Sequence, residues 1–235
     1  YNGQNLYYDA DGNDVGESGD WSVRLQKTAE ATSNPNEFEI TLTVETKDQI
    51  IETEEVVGAD VVLVFDLSDS MDQDGRWEAL KSAADTLLEK LLPAGTKNRV
   101  AIAGYAKTEG IIHDFSNNIN ELESSYHYNS AEKTRNQHKD ITGTGTNCQG
   151  GFRAAEDLLS SARENALKYV VYMSDGVPTR YYQISDRNDD IALTGGQVSG
   201  QQYEGAWIAV NGAQQQAAHL KETYPGTKII TVGLG

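Results

Sequence analysis

Ala59-Asp60-Val61-Val62-Leu63-Val64-Phe65 runs straight into Asp66-Leu67-Ser68-Asp69-Ser70-Met71. The first part is a continuous, β-branched run. A strand wetted on one side alternates apolar and polar residues; this one reads as a strand covered on both faces, the habit of parallel sheets. The second part begins where the strand must stop. Open α/β sheets bind their ligands at the carboxyl ends of the strands, and there Asp66, Ser68 and Ser70 follow one another as D-x-S-x-S.

Downstream, Trp77, Leu80, Ala84, Leu87, Leu88, Leu91 and Leu92 recur at three- and four-residue spacing, which predicts a helix over 76–92 that Pro93-Ala94-Gly95 stops. Strands are expected at 100–106, 110–115, 169–173 and 228–235, and helices at 148–166 and 206–223. The order predicts a doubly wound, mostly parallel α/β sheet over 59–235. Two long polar stretches, 116–145 and 180–205, interrupt it and read as insertions. Upstream, Trp21 to Gln26 and Phe38 to Val44 alternate with period two, as half-buried antiparallel strands do. A weaker run at 50–53 is a third candidate, and residues 1–19 read as a loop. Residues 1–58 thus form a separate β-strand segment.

Composition narrows the function. Thirty-six acidic against 19 basic residues give a formal charge of −17. Such a chain lacks the clustered lysine and arginine that attract phosphate, which argues against nucleic acid as a partner. No apolar run approaches the ~18 residues of a membrane span. The only cysteine, Cys148, excludes an internal disulfide. The polar opening Tyr1-Asn2-Gly3-Gln4 is no signal peptide, although a trimmed chain would look the same.

Two further segments place oxygen donors at the same sheet edge. Gly145-Thr146-Asn147 precedes a helix, and Ser174-Asp175-Gly176 closes the fourth buried strand of the α/β part. With Asp66, Ser68 and Ser70 they suggest a hard divalent cation, Mg²⁺ or Mn²⁺, with Ca²⁺ a further occupant. Mg²⁺ takes octahedral oxygen ligands and keeps several waters. Hydroxyls of Ser68, Ser70 and Thr146 can bind it directly without charge, while Asp66 and Asp175 hold its waters. Neutral donors leave most of the 2+ charge uncompensated, which favours an acidic group from a partner in the open position. The competing reading is a set of helix caps and turns; it gives no reason for three distant segments to converge.

These five residues resemble the metal-ion-dependent adhesion site of the von Willebrand factor A family, and the resemblance covers about 59–235. It implies a Rossmann-like fold and a non-catalytic role: binding a protein or glycoprotein ligand through a metal bridge to an acidic side chain. The family fold continues with another strand and helix after the last strand, so the chain is expected to be truncated or completed by a segment not present. The strands before residue 59, with Lys27-Thr28-Ala29 ending one of them, look like the entry segment of Gram-positive surface adhesins and pilus-tip proteins. That likeness implies a discontinuous β-sandwich, an extracellular, cell-wall or pilus location, host or neighbouring-cell ligands, and pilus backbone subunits as partners. It also makes Lys27 the candidate for a Lys–Asn isopeptide bond whose asparagine lies beyond residue 235. The alternative is an intracellular A domain that assembles a larger complex.

Other signals are weaker. Asp9, Asp11, Asn13 and Asp20 echo a calcium loop, but Asp14 stands where glycine is required, so a solvated turn is expected. His113, His127, His138 and His219 show no metal spacing. Cys148 is expected to be a buried structural thiol. Tyr126, Tyr128, Tyr181, Tyr182 and Tyr203 lie in the insertions, where they could touch a ligand or pin the loops. Catalysis is not expected: Ser68 replaces the second acid that an aspartyl phosphatase needs, and neither a G-x-S-x-G elbow nor a phosphate loop is present.

Overall fold

The computed structural model describes all residues except 1–4, 10, 18, 20, 34–37, 47–57, 185–190, 201–205 and 235. The chain divides into two units, Tyr1–Glu54 and Glu55–Gly235. The expected weak strand at 50–53 and the division itself fall outside the described residues.

In the larger unit, Ala59–Asp66 (β4) is the middle strand of a five-stranded sheet. It pairs in parallel with Arg99–Tyr105 (β5) on one side and Leu167–Ser174 (β7) on the other. Lys228–Gly233 (β10) extends the sheet in parallel beyond β7, and Glu109–Ser116 (β6) closes the far side antiparallel. The unbroken apolar run has the burial it predicted, since Val61 to Phe65 are at most 2% exposed. Val61, Leu63 and Phe65 pack on one face with Trp77, Leu80, Ala84 and Leu88 of Arg76–Leu91 (α1). Val62 and Val64 pack on the other with Phe152, Ala155, Leu158 and Leu159 of Cys148–Leu159 (α4), and with Leu220 of Ala206–Thr223 (α5). Helices on both faces make this the doubly wound α/β fold expected.

One buried charge is anchored at the lower end of β4. Asp60 is 0% exposed. Its carboxylate accepts bonds from Arg99 Nε and Nη2 at 3.0 and 2.7 Å, from Arg163 Nη2 at 2.6 Å and from the Arg163 backbone N–H at 2.7 Å. Burial alone would raise its pKa, but the two arginines reverse that and hold it at about 2.

Several local expectations need correction. The insertion 116–145 is not a loop: it contains Ile119–Ser124 (α2) and Ala131–Gln137 (α3). Asn118 and Ser130 cap them, each side chain accepting a backbone N–H. The second insertion contributes a hairpin of Tyr181–Gln183 (β8) and Gln197–Ser199 (β9). α4 ends at Leu159, seven residues early, because the chain turns so that Arg163 can reach Asp60.

In the smaller unit, Val23–Ala31 (β2) pairs antiparallel with Asn5–Tyr8 (β1) and Phe38–Thr46 (β3). β1 lies where composition predicts a loop. Its four residues Asn5-Leu6-Tyr7-Tyr8 hold because Tyr7 is buried and its ring lies 5.7 Å from that of Trp21. Leu25 sits opposite Val44, Lys27 opposite Leu42, and Ala29 opposite Ile40. These residues share one face, and with Leu6 several of them line an apolar groove of about 370 Å³.

Candidate metal centre

The five residues nominated from sequence meet at the upper end of β4. Asp66 is fully buried; its Oδ1 accepts the Ser68 N–H at 2.9 Å, and its Oδ2 accepts Tyr105 Oη at 2.9 Å and Ser174 Oγ at 2.7 Å. Ser68 Oγ lies 3.1 Å from Ser70 Oγ, and Ser70 Oγ donates to Asp175 Oδ1 at 3.1 Å. Thr146 comes from the loop before α4. That loop is tied to β5 by Asn147 N–H to Ala106 O at 2.9 Å, and Asn147 caps the helix through Gly150 N–H at 3.1 Å. Ser68, Ser70 and Thr146 line one cleft of about 160 Å³, together with Gly145, Thr179 and Arg180.

The local chain is built to hold this shape. Leu67 N–H bonds Tyr105 O at 2.7 Å as the strand ends, and Asp69–Asp72 then forms a 3₁₀ turn. α3 clasps that turn from both sides. Arg135, 7% exposed, donates to Leu67 O at 2.7 Å and Asp69 Oδ1 at 2.9 Å. In return the Asp72 carboxylate accepts the Ala131 and Glu132 N–H groups at the start of α3, at 2.6 and 3.0 Å. The Thr146 segment is fastened to the second insertion: Thr146 N–H donates to Thr179 Oγ1 at 3.0 Å, and Thr146 O accepts Thr179 and Arg180 N–H at 2.9 and 3.1 Å.

Electrostatically the two carboxylates differ. Burial pushes the Asp66 carboxyl up, and hydrogen bonds from Ser68 and Ser174 only temper the shift. Asp175, whose side chain is 2% exposed, pairs with Arg76 Nη1 at 2.8 Å. Arg76 also donates to Ser70 O and Asp74 Oδ2, each at 3.2 Å. It leads α1 out of a left-handed Asp74-Gly75 turn, with φ of 53° and 73°. Among the described residues, no three His, Cys, Asp or Glu side chains gather as a metal cluster. The donor set here is three hydroxyls and two carboxylates, all oxygen, which suits a hard divalent cation rather than a thiophilic one.

The remaining sequence candidates lie elsewhere or play other parts. Asp9 folds its carboxylate back on Asp11 and Asn13 N–H groups at 2.9 and 2.8 Å, a self-closed turn. His127 bonds Asp85, His138 bonds Ser125 O and His219 bonds Glu156. Cys148 is buried, its thiol pushed up to about 12 by desolvation and then by the nearby Asp66 charge. Tyr126, Tyr181 and Tyr182 are buried and pin their segments, whereas Tyr203 lies outside the described residues. Tyr105, Ser174, Arg76, Arg135 and Arg180 were not singled out from sequence. Only Ser174, inside a quoted motif, carried a local signal.

Residues 61–177 match the von Willebrand factor type A domain family. No curated protein matches it. Among solved structures it is similar to the PilB minor pilin from Streptococcus sanguinis, at 17% identity and TM-score 0.62 over 100% of this chain and 68% of that one. It is also similar to the pilus adhesin SpaC from Lactobacillus rhamnosus GG in its open conformation, at 17% identity and TM-score 0.52 over 93% of this chain and 28% of that one. The vWF domain of the type V pili tip protein Mfa5 from Porphyromonas gingivalis matches at 22% identity and TM-score 0.46, over 64% of this chain and 46% of that one. The chain thus spans less than half the length of the SpaC and Mfa5 chains. No helix among the described residues is long and apolar enough to cross a membrane.

Proposed function

We propose that this chain is the ligand-binding module of an extracellular adhesin, associated with a pilus or cell wall. It would hold Mg²⁺ or Mn²⁺ at Asp66, Ser68, Ser70, Thr146 and Asp175 and capture an acidic group of a host or neighbouring-cell protein or glycoprotein. One observation carries the reading: oxygen-bearing side chains from three distant segments surround one cleft at the carboxyl edge of β4. When bound, the cation supplies an electrophilic position for an anionic ligand. The chain's own residues do the rest. Ser68, Ser70 and Thr146 present uncharged oxygens, Asp66 is fixed from behind by Tyr105 and Ser174, and Arg76 offsets Asp175, so a 2+ ion would stay under-neutralised.

The fold shared with a minor pilin and a pilus adhesin supports the pilus setting, and pilus backbone subunits are the matching structural partners. The role is binding rather than turnover, and the one thiol is held protonated and buried. Lys27 stands on the apolar face of the smaller unit, opposite Leu42. A face of this kind, once covered, suits the amide that a lysine amine forms with an asparagine side chain as ammonia leaves. Intact mass of the full-length protein, short by one ammonia and restored by Lys27→Ala, tests that bond.

Calorimetric Mg²⁺ titration tests the metal. Asp66→Ala and Thr146→Ala should abolish the binding heat while circular dichroism stays that of the native chain. Unchanged Mg²⁺ binding in both variants would sink the assignment.

A further inference from the structure

Arg180 stands apart from the other arginines that brace the site. Arg76 and Arg135 each meet a carboxylate and a backbone carbonyl. Arg180 lines the same cleft as Ser68, Ser70 and Thr146. Its Nη1 donates to Gly200 O, but its Nε is buried and has no hydrogen-bond partner. Among the described residues no carboxylate pairs with it, in a chain with 36 acidic residues. A buried guanidinium N–H without an acceptor is costly, and native structures seldom retain one without a use.

Its position is not accidental either. The Arg180 backbone is fastened to Thr146 O at 3.1 Å, so the residue moves with the threonine that faces the cleft. Its side chain lies flat against Gly145. A Cβ at that position would stand 2.8 Å from Arg180 Nε and 3.0 Å from its Cγ, and the φ of +114° there favours glycine independently. The cleft wall is thus shaped to let the guanidinium in beside Thr146.

We propose that Arg180 is the second anchor for the partner's acidic group. One carboxylate oxygen takes the open position on the cation, and the other accepts the Arg180 Nε–H as the guanidinium turns off Gly145, against which Nε is otherwise closed. This rests on the metal reading above and deepens it. A carboxylate has two acceptor oxygens about as far apart as an ion and a neighbouring donor can share. A neutral amide or hydroxyl ligand satisfies the cation but leaves Arg180 with a weaker acceptor, so Arg180 sharpens the choice of acid over amide.

The test uses ¹⁵N-labelled protein with saturating Mg²⁺, and acetate and acetamide as probes. Acetate should shift the Arg180 Nε–Hε resonance, whereas acetamide should not. R180Q and R180K should each weaken acetate binding about tenfold or more, the worth of one charge-assisted hydrogen bond. Without acetate, R180K should keep Mg²⁺ affinity within about twofold of the parent, while R180Q, which removes a positive charge from beside the ion, should bind Mg²⁺ as tightly or a few-fold more tightly. Acetate affinity unchanged in R180Q overturns the proposal and leaves the metal reading standing. Full recovery in R180K reduces Arg180 to a point charge and overturns the bridging bond. Loss of Mg²⁺ binding in R180Q makes Arg180 a structural residue and overturns it too. Absence of Mg²⁺ uptake by the parent protein sinks both readings.

Discussion

Strand β4 carries an aspartate at each end, and both are 0% exposed. Asp60, at the bottom, is met by two guanidinium groups and held ionised down to about pH 2. Asp66, at the top, is met by a backbone N–H, a tyrosine hydroxyl and a serine hydroxyl, and its carboxyl is pushed up by burial. The residue type, strand and depth are the same. The difference is that the protein supplies the positive charge at one end and withholds it at the other. A buried carboxylate given only neutral donors is costly by itself, which is consistent with the cation proposed for this end of the strand.

The largest test of that contrast is functional. Asp66→Ala should remove Mg²⁺ binding altogether, and Asp60→Ala should leave the titration unchanged; equal effects would erase the distinction. Next comes stability. Asp60→Ala should cost about 3 kcal/mol in urea unfolding, because Arg99 and Arg163 lose their common partner. Metal-free Asp66→Asn should cost nothing, or gain up to about 1 kcal/mol, because a buried charge is removed and its hydroxyl neighbours can rotate.

The pH dependence follows the same line. A carboxyl whose folded pKa lies below its unfolded value stabilises the fold above the unfolded value, ~3.9. That contribution fades as pH falls through the folded value of about 2. Acid unfolding should therefore steepen between those limits in the parent and lose that component in Asp60→Ala. The smallest effect concerns Arg76. Its removal takes one positive charge from beside Asp175, so Arg76→Ala should tighten Mg²⁺ a few-fold, on the order of 1 kcal/mol. A weakened titration would mean that Arg76 mainly holds Asp175 in place.

Much of this was legible in the chain. The unbroken run 61–65 dictated a strand covered on both faces, and the D-x-S-x-S that follows had to lie at the sheet edge. Thr146 and Asp175 could be read because each adjoins a predicted element boundary. The charges around them could not. Arg76 and Asp175 are 99 residues apart, and Arg135 and Asp69 are 66 apart. Pairings at that range leave no local period or spacing. Arg76 looked like an ordinary first helical residue, and Arg180 stood in what read as polar insertion. The helices of 116–145 were hidden for another reason. They are too short to show a repeat, although Asn118 followed three residues later by Glu121 is a capping pattern.

The clasp between α3 and the 3₁₀ turn has a practical corollary. Arg135 is buried and answered by Leu67 and Asp69, while Asp72 answers the first N–H groups of α3. An insertion transplanted to another domain without its turn would arrive with a sequestered guanidinium facing no acceptor and a helix start facing no anion. The exchangeable cassette is therefore 116–145 together with 67–72.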